Sequence, residues 1–298
     1  MKAGRGRRWT EIVIEALIRT LGFSTVAIVA LIFMFLLREG MPAFFTVSPS
    51  NLFSTAWYPT FGFFGTLPLI LGSLLVTLAA VIIALPLGVA TAVFVREVAP
   101  PWMREFLKPM IEVLAGIPSV VLGFFGMTMI APFIRQTLGA ATGLTAFTGA
   151  LVLAYMSLPT IISVAEDALD SVPRSYRDAG LAMGATKWQT IWRVVVPAAR
   201  SGILTAVMLG MGRAIGETMA VMMVTGNAAR IPLDIGALFK PVRTMTATIA
   251  AEMGEVARGS IHYRTLFAIG IILFIITFLI NLAAASAIFQ KRRQGGLR

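Results

Sequence analysis

The sequence predicts an all-α integral membrane protein with six transmembrane helices. Of its 298 residues, 57% are hydrophobic and 13% are charged, and its mean hydropathy is +0.85. A soluble domain carries about 25% charged residues, so this composition excludes an ordinary soluble enzyme, and its hydrophobicity excludes a disordered chain. Six charge-poor stretches are long enough to span a membrane, and the alternating pattern of about ten residues that marks a membrane β-barrel is absent from the sequence.

Charged residues delimit the predicted spans, and each span is about as long as the hydrocarbon core of a bilayer requires. The first span follows a basic stretch, as a signal peptide would, but it is longer and no small-residue cleavage site follows it. We therefore interpret it as a retained anchor. The predicted spans are 20–37, 67–95, 113–134, 147–165, 203–225 and 265–290.

The distribution of Lys and Arg predicts that both termini lie on the inner side of the membrane. In this orientation 17 of the 25 basic residues lie in inner segments and 7 in outer segments. Basic residues favour the inner side, so the net charge of +11 indicates membrane orientation rather than affinity for nucleic acid. The chain divides into a region 1–66 with a basic tail, the first helix and an outer loop, a membrane core 67–290, and a basic tail 291–298.

The third span is interrupted by glycine and proline. Gly116, Pro118, Gly123 and Gly126 predict either a kinked helix beside a cavity or close packing against neighbouring helices.

The inner loop 166–202 predicts two short helices. Ser171 and Pro173 are typical of a helix start, and Gly184 is typical of a helix end in the left-handed conformation. Thr186 would cap the second helix, which Pro197 would end or kink.

One side of the first short helix carries Tyr176, Ala179, Gly180 and Met183 at helical spacing. Small residues flanked by larger apolar ones allow another protein to pack closely. The alternative is an amphipathic linker that lies on the lipid surface.

The same loop resembles the EAA loop of ABC-importer permeases. The motif of that family is Glu-Ala-Ala, three residues, Gly, nine residues, then Ile-x-Leu-Pro. This chain has Asp178-Ala179-Gly180, then Gly184 and Val194-x-Val196-Pro197 at the same spacing, with Asp for Glu, Gly for the second Ala, and Val for Ile and Leu.

In that family the loop forms a coupling helix that sits in a groove of an ATPase subunit. The resemblance implies that residues 173–184, including Tyr176, Asp178, Ala179, Gly180, Met183 and Gly184, contact such a subunit. The sequence itself has no Gly-x-x-x-x-Gly-Lys-Ser/Thr phosphate loop, so we expect ATP and Mg²⁺ to be bound by the partner ATPase and no cofactor by this chain.

The fifth predicted span contains two charged residues, Arg213 and Glu217. Arg213 would lie near the middle of the membrane, and Glu217 four residues on would share its helix face. A buried Arg suits an anion pathway, because its planar guanidinium binds oxyanions through two hydrogen bonds, and Glu217 would then orient it. The alternative is a structural ion pair beside a Gly212-x-x-x-Gly216 helix contact.

Four segments resemble the C-type permeases of phosphate-specific transport, and the resemblance covers roughly residues 67–290. They are LAGIPSVVLGFFG (114–126), LGMGRAIGETMAVMMVTGN (209–227), PVRTMTATIAAEMGE (241–255) and GSIHYRTLFAIG (259–270).

This second resemblance implies a type I importer fold in a bacterial inner membrane. It also implies a heterodimer with an A-type permease subunit, two ATP-binding subunits, an extracytoplasmic phosphate-binding protein and phosphate as substrate. A permease for another oxyanion, such as sulfate or molybdate, and an ATP-independent secondary transporter remain alternatives.

The sequence gives no support for a membrane-embedded enzyme or a metal site. Cysteine is absent, and His262 is the one histidine. Thiolate catalysis and most zinc sites are thereby excluded, and we expect neither a catalytic residue nor a metal ligand. We expect His262 in a loop near the outer surface.

Overall fold

The computed structural model describes residues 3–139, 141–234 and 236–295, and within these ranges it leaves out the side chains of 3–8, 10, 138, 284–285 and 287–295. Within these described ranges, six helices are long and apolar enough to cross a membrane, which confirms the predicted number of spans. The predicted basic tail 291–298 lies outside the residues whose side chains are described. The helices are α1 (Ala3–Thr46), α2 (Pro49–Leu52), α3 (Leu67–Val93), α4 (Pro101–Ala115), α5 (Ser119–Phe125), α6 (Ala131–Leu138), α7 (Ala146–Asp170), α8 (Arg174–Ala182), α9 (Lys187–Thr190), α10 (Val196–Gly216), α11 (Met219–Val224), α12 (Met245–Glu252) and α13 (Ile261–Gly295).

A short β-hairpin marks one end of the bundle. Strands β1 (Trp57–Tyr58) and β2 (Phe63–Phe64) pair antiparallel, and Gly62 adopts the left-handed conformation between them (φ 77°). We call this the hairpin end, and the opposite end, where α8 follows α7, the α8 end.

Helix α7 is the centre of the bundle, and α3 and α10 both pack along it. Alanines of both helices are buried at its contact with α3, together with the larger Val76, Leu153 and Ile161. Small side chains let two helix backbones approach closely, which is how helices associate where lipid is as apolar as they are. The buried alanines are Ala80 and Ala84 on α3 and Ala146, Ala150 and Ala154 on α7.

Ile161 of α7 fills the space between α3 and α10. It is 1% exposed and lies against glycine on both neighbours. A Cβ atom built on Gly88 of α3 would lie 2.6 Å from Ile161 Cγ2, and one on Gly210 of α10 would lie 2.5 Å from Ile161 Cγ1. Both helices therefore approach α7 closely because these positions have no side chain.

Several spans differ from their predicted bounds. Helix α1 continues on both sides of the predicted 20–37, because a helix does not have to end where the hydrocarbon core ends. The third predicted span, 113–134, is broken, since α4 ends at Ala115 and α5 begins at Ser119. The sixth span begins at Ile261 rather than at 265.

The fifth predicted span is wrong at both ends. Its helix begins at Lys187, within the predicted inner loop, and ends at Gly216. Pro197 does not end it, and a kink at Pro197 stays a prediction. A π-helical turn, Ile191–Val195, ends two residues before Pro197 and accommodates a residue that has no N–H to donate.

The loop predictions are partly confirmed. Gly184 adopts the left-handed conformation (φ 81°), and Thr186 caps α9 in a reciprocal pair with Gln189. Ser171 was expected to cap α8, but its hydroxyl donates to the Ala168 carbonyl at the end of α7. Pro173 is the residue that precedes α8, and it makes no side-chain cap.

Four separate segments meet at the Glu252 carboxylate near the hairpin end. Its Oε1 forms an ion pair with Arg243 Nη2 at 2.7 Å and accepts from Trp57 Nε1 at 3.1 Å, and His262 Nε2 lies 2.7 Å from its other oxygen. The prediction that His262 lies in a loop is wrong, because His262 lies in the first turn of α13. The carboxylate joins the hairpin, the segment before α12, α12 itself and α13.

Replacing Gly210 and Gly212 separately should distinguish a packed glycine from an open one. In Gly210→Ala the new methyl group meets Ile161, so we expect a loss of about 1–3 kcal/mol in stability. Gly212 has no neighbouring atom within 4 Å. Gly212→Ala should be neutral or stabilising by up to about 1 kcal/mol, because Ala favours helix. Thermal unfolding of the purified protein in detergent measures both, and equal effects would contradict the close α10–α7 contact.

Removing the charge of Glu252 should destabilise the hairpin end. In Glu252→Gln the Arg243 guanidinium loses its charged partner, and its Nε is already buried without one. We expect a loss of about 1.5–3 kcal/mol, the range of a hydrogen bond to a charged group. The matched control is Glu255→Gln, because Glu255 is exposed on the following turn. Thermal unfolding that is equally affected in both variants would count against the role of Glu252.

Candidate functional site

Arg213 belongs to an exposed stripe along α10. The buried residues of α10 pack against α7 and α3, and the stripe beside them, Thr205, Leu209 and Arg213, is exposed. An uncovered Arg on an apolar helix is costly against lipid, so such residues face a protein interior or water. This stripe is therefore the candidate functional surface.

The guanidinium of Arg213 is held beside α7 and the end of α4. Its Nη1 donates to Thr160 Oγ1 at 3.2 Å, and its Nη2 lies 3.4 Å from the Ala115 carbonyl oxygen. Thr160 precedes the last residue of α7 by ten positions, or about 15 Å of helix. Arg213 therefore lies beside the middle part of α7, and its depth in a bilayer of about 30 Å stays a prediction.

The break in the third span supplies one of these acceptors. Helix α4 ends at Ala115, so its last carbonyl groups have no partner within the helix. Pro118 has no N–H and starts a new helix, α5, after the break. The predicted interruption at Gly116 and Pro118 therefore lies beside Arg213.

The two remaining glycines of the third span have a packing role. A Cβ atom on Gly123 would lie 2.8 Å from Ala220 Cα, and one on Gly126 would lie 2.8 Å from Val224 Cγ1. Both atoms belong to α11, and a Cβ atom on Gly126 would also lie 2.7 Å from Val152 Cγ2 of α7. These glycines therefore let the third span pack closely against α11 and α7.

Glu217 does not pair with Arg213, contrary to the prediction. Helix α10 ends at Gly216, and Glu217 is extended (ψ 134°), so the two residues do not share a helix face. Among the described residues no carboxylate oxygen lies within 4.0 Å of the Arg213 guanidinium. Instead Glu217 Oε1 accepts from the Ala220 N–H at 3.3 Å and caps α11. Its backbone carbonyl accepts from Thr246 Oγ1 at 3.0 Å, which ties the break to α12.

The predicted Gly212–Gly216 contact is not made within the described chain. A Cβ atom on either glycine would meet nothing within 4 Å. The glycine pair therefore extends the open surface around Arg213.

Helix α8 presents most of the predicted coupling residues to the outside. Tyr176, Asp178, Ala179 and Gly184 are exposed, and Met183 is 88% exposed. Gly180 differs, because a Cβ atom there would lie 3.0 Å from Thr190 side-chain atoms. Gly180 therefore allows α8 to approach the start of the α9–α10 helix rather than presenting an outward surface.

Sequence reasoning missed a set of ion pairs at the α8 end. Arg177 pairs with Glu97, Arg96 pairs with Asp170, and Lys108 Nζ lies 3.3 Å from Glu166 Oε2. The sequence shows that these predicted inner segments carry both positive and negative residues. It does not show which of these residues pair with each other.

The pKa of Lys108 reflects this cluster. Burial lowers it, and this is the largest single influence, but the hydrogen bond to Glu166 and the negative charges of Glu166, Asp167 and Glu112 together raise the pKa of Lys108 above its ordinary value.

Curated relatives match most of the chain. It is 45% identical over 251 residues to the probable ABC transporter permease protein YqgH of Bacillus subtilis (strain 168), covering 83% of this chain and 80% of the relative. It is 37% identical over 290 residues to the phosphate transport system permease protein PstC of Mesorhizobium japonicum, covering 91% and 88%. The PstC of Xylella fastidiosa (strain Temecula1) is 34% identical over 267 residues, covering 83% and 81%.

Solved structures of two ABC transporters share the fold. A chain of a bacterial transporter for the polysaccharide alginate aligns with a TM-score of 0.62 at 15% identity, covering 95% of this chain and 99% of that chain. A chain of the inward-facing MetNI methionine transporter aligns with a TM-score of 0.61 at 18% identity, covering 79% and 99%. This chain therefore shares its fold with chains of solved ABC transporters, as predicted.

The family assignment rests on the membrane core. Residues 84–294 match the family model described as the binding-protein-dependent transport system inner membrane component. This range contains the uncovered stripe of α10, both broken spans and α8. The chain belongs to the family of inner membrane components of binding-protein-dependent transport systems, that is, the permeases of ABC importers.

Proposed function

We propose that this chain is the C-type permease subunit of an importer that moves inorganic phosphate across a bacterial inner membrane. The observation that carries the proposal is the position of Arg213, which is exposed on α10 at mid-bundle depth. A guanidinium has five N–H donors, and among the described residues Arg213 makes two hydrogen bonds. The remaining donors are available to an oxyanion. Relatives named PstC, 32–37% identical, support phosphate among the oxyanions.

The open stripe on α10 also supports a second permease subunit. Lipid is a poor neighbour for Arg213, whereas a partner helix and a water-filled path between two subunits suit it. We propose that an A-type subunit covers this face, and that Gly212 and Gly216 allow its helices to approach.

Glu217 remains part of the proposed pathway, in a changed role. It caps α11 and so fixes the break next to Arg213. It sets the direction in which the fifth span continues past the anion site instead of neutralising the guanidinium.

The proposed driving force is ATP hydrolysis in two separate subunits. The exposed side of α8, with Tyr176, Asp178, Ala179 and Met183, would dock on one of them, and Gly184 would end the docking helix. Both termini would then lie on the inner side, with α8, and the hairpin end would receive phosphate from an extracytoplasmic binding protein. Alternating access moves the open side of the Arg213 site from one end of the bundle to the other.

The substrate is tested by uptake of radiolabelled phosphate into vesicles that hold the complete complex and internal ATP. We expect uptake to require ATP and to be blocked by unlabelled phosphate but not by sulfate or molybdate. Equal competition by sulfate or molybdate would identify another oxyanion permease. Uptake that continues without ATP would identify a secondary transporter.

Removing the guanidinium should abolish most transport. We expect Arg213→Ala to reduce phosphate uptake about 10- to 100-fold, because hydrogen bonds to a charged group are lost, while Arg213→Lys retains part of it. Arg200→Ala on the same helix is the control, since Arg200 is exposed near the α8 end. Full uptake by Arg213→Ala would contradict the proposed anion site.

Placing a charge on the exposed side of α8 should separate the permease from its ATPase. Met183→Asp introduces a carboxylate at the most exposed apolar position of the loop, and burying it in a docking groove is unfavourable. We expect co-purification of the ATPase subunits to be lost. Leu233→Asp, at an equally apolar and 79% exposed position of the loop after α11, should leave it intact. Undiminished co-purification with Met183→Asp would place the docking surface elsewhere.

A further inference from the structure

Arg177 reaches into the bundle, whereas its neighbours Tyr176 and Asp178 in α8 are exposed. Its Nη2 donates to Glu97 Oε1 at 2.6 Å and its Nε to Glu97 Oε2 at 3.3 Å, so the pair is bidentate. The Arg177 side chain is 19% exposed and that of Glu97 is 9% exposed. Among the described residues, no other side chain of α8 makes a hydrogen bond or an ion pair with the rest of the bundle. Arg177 is the polar anchor of α8.

Glu97 belongs to the end of α3. It lies in a π-helical turn, Phe94–Val98, that continues α3 without interruption. Helix α3 in turn packs along α7 through the alanine contact. A pull on the Glu97 carboxylate therefore acts on the α8 end of a transmembrane helix.

The same guanidinium also binds the end of α7. Arg177 Nη1 donates to the Val172 carbonyl at 2.7 Å, and Nη2 donates to the Leu169 carbonyl at 3.0 Å. The last carbonyl groups of a helix have no partner within it, so they are available to such a donor. One side chain thus joins α8 to both α3 and α7.

The other ion pairs at this end do not reach α8. Arg96–Asp170 joins the turn after α3 to α7, and Lys108 joins α4 to Glu166 and Asp167 of α7. They hold the transmembrane helices to one another. A buried ion pair adds little net stability, because desolvation offsets its attraction, so Arg177–Glu97 is better explained by the geometry that it imposes.

We propose that Arg177 is the positioning residue through which a displacement of α8 moves the ends of α3 and α7 as one body. The bidentate bond to Glu97 and the two carbonyl bonds resist both rotation and separation of α8. The movement continues through Ile161, which α3 and α10 both contact, to the part of α10 that carries Arg213. The proposal rests on the proposed function, in which α8 contacts the ATPase.

The experiment measures phosphate transported per ATP hydrolysed by the complete complex in vesicles. In Arg177→Met and in Glu97→Gln we expect the ATPase subunits still to co-purify and basal ATP hydrolysis to continue, while phosphate moved per ATP falls about tenfold. Arg193→Met is the matched control, because Arg193 is exposed at the same end and its side chain makes no bond within the described residues. The reversed pair, Glu97→Arg with Arg177→Glu, should recover part of the ratio.

An unchanged ratio in Arg177→Met would overturn the proposal, and so would a parallel loss of assembly, ATP hydrolysis and uptake in every Arg177 variant. If the complex that contains Arg177→Met does not assemble, phosphate transported per ATP is measured for Arg177→Lys instead. Lysine keeps the charge but cannot form the bidentate bond, so we expect the ratio to fall with assembly intact, and an unchanged ratio would again overturn the proposal. Failure of the proposed function looks different, because the unmodified complex would then show no ATP-dependent phosphate uptake.

Discussion

The close approach of α3 to α7 is the contact on which the rest of the structure depends. Buried alanines of both helices take part in it, and Gly88 of α3 lets Ile161 of α7 come close to its backbone. In a membrane the apolar surroundings give no reason for two apolar helices to associate, and dense packing must provide it. Helix α10 joins the same unit because Gly210 leaves room for Ile161. With these three helices fixed, their ends at the α8 end and the middle of α10 are also fixed relative to one another.

This packed unit explains why the polar groups lie where they do. On the buried side of α10 small residues meet α7, and on the exposed stripe beside it Arg213 reaches Thr160 of α7 and the end of α4 with hydrogen-bonding capacity to spare. The breaks after Ala115 and Gly216 lie next to it, and both have a chemical cause. Pro118 cannot continue a helix, and Glu217 in an extended conformation uses its carboxylate to start another. At the α8 end, charges of opposite sign join the loop and helix ends that the apolar contacts leave free.

The sequence predicted the parts of the fold that depend on composition and local chemistry. The number of spans follows from charge-free windows, and Gly184 and Thr186 have the conformations expected of a helix end and a cap. The wrong predictions of where helices begin and end share a cause. A charge-free window reports where lipid ends, whereas hydrogen bonding decides where a helix ends, so Lys187–Gly216 was divided wrongly between loop and span. Ser171 illustrates the same limit, since the end of α7 uses its hydroxyl before α8 begins.

For the candidate site, the sequence by itself determined that Arg213 is costly in the membrane and therefore functional or paired, because charge and hydropathy are local properties. The sequence also identified the loop that contains α8, because the residues of its motif follow one another in the chain. Only the tertiary structure decided which partners these residues have. Spacing of four residues predicted Arg213 with Glu217, but a helix break separates them, and Thr160 and Ala115 are the neighbours instead. Likewise Arg177 finds Glu97 eighty positions earlier in the chain. Such partners are set by how α3 and α7 pack, and no local pattern carries that information.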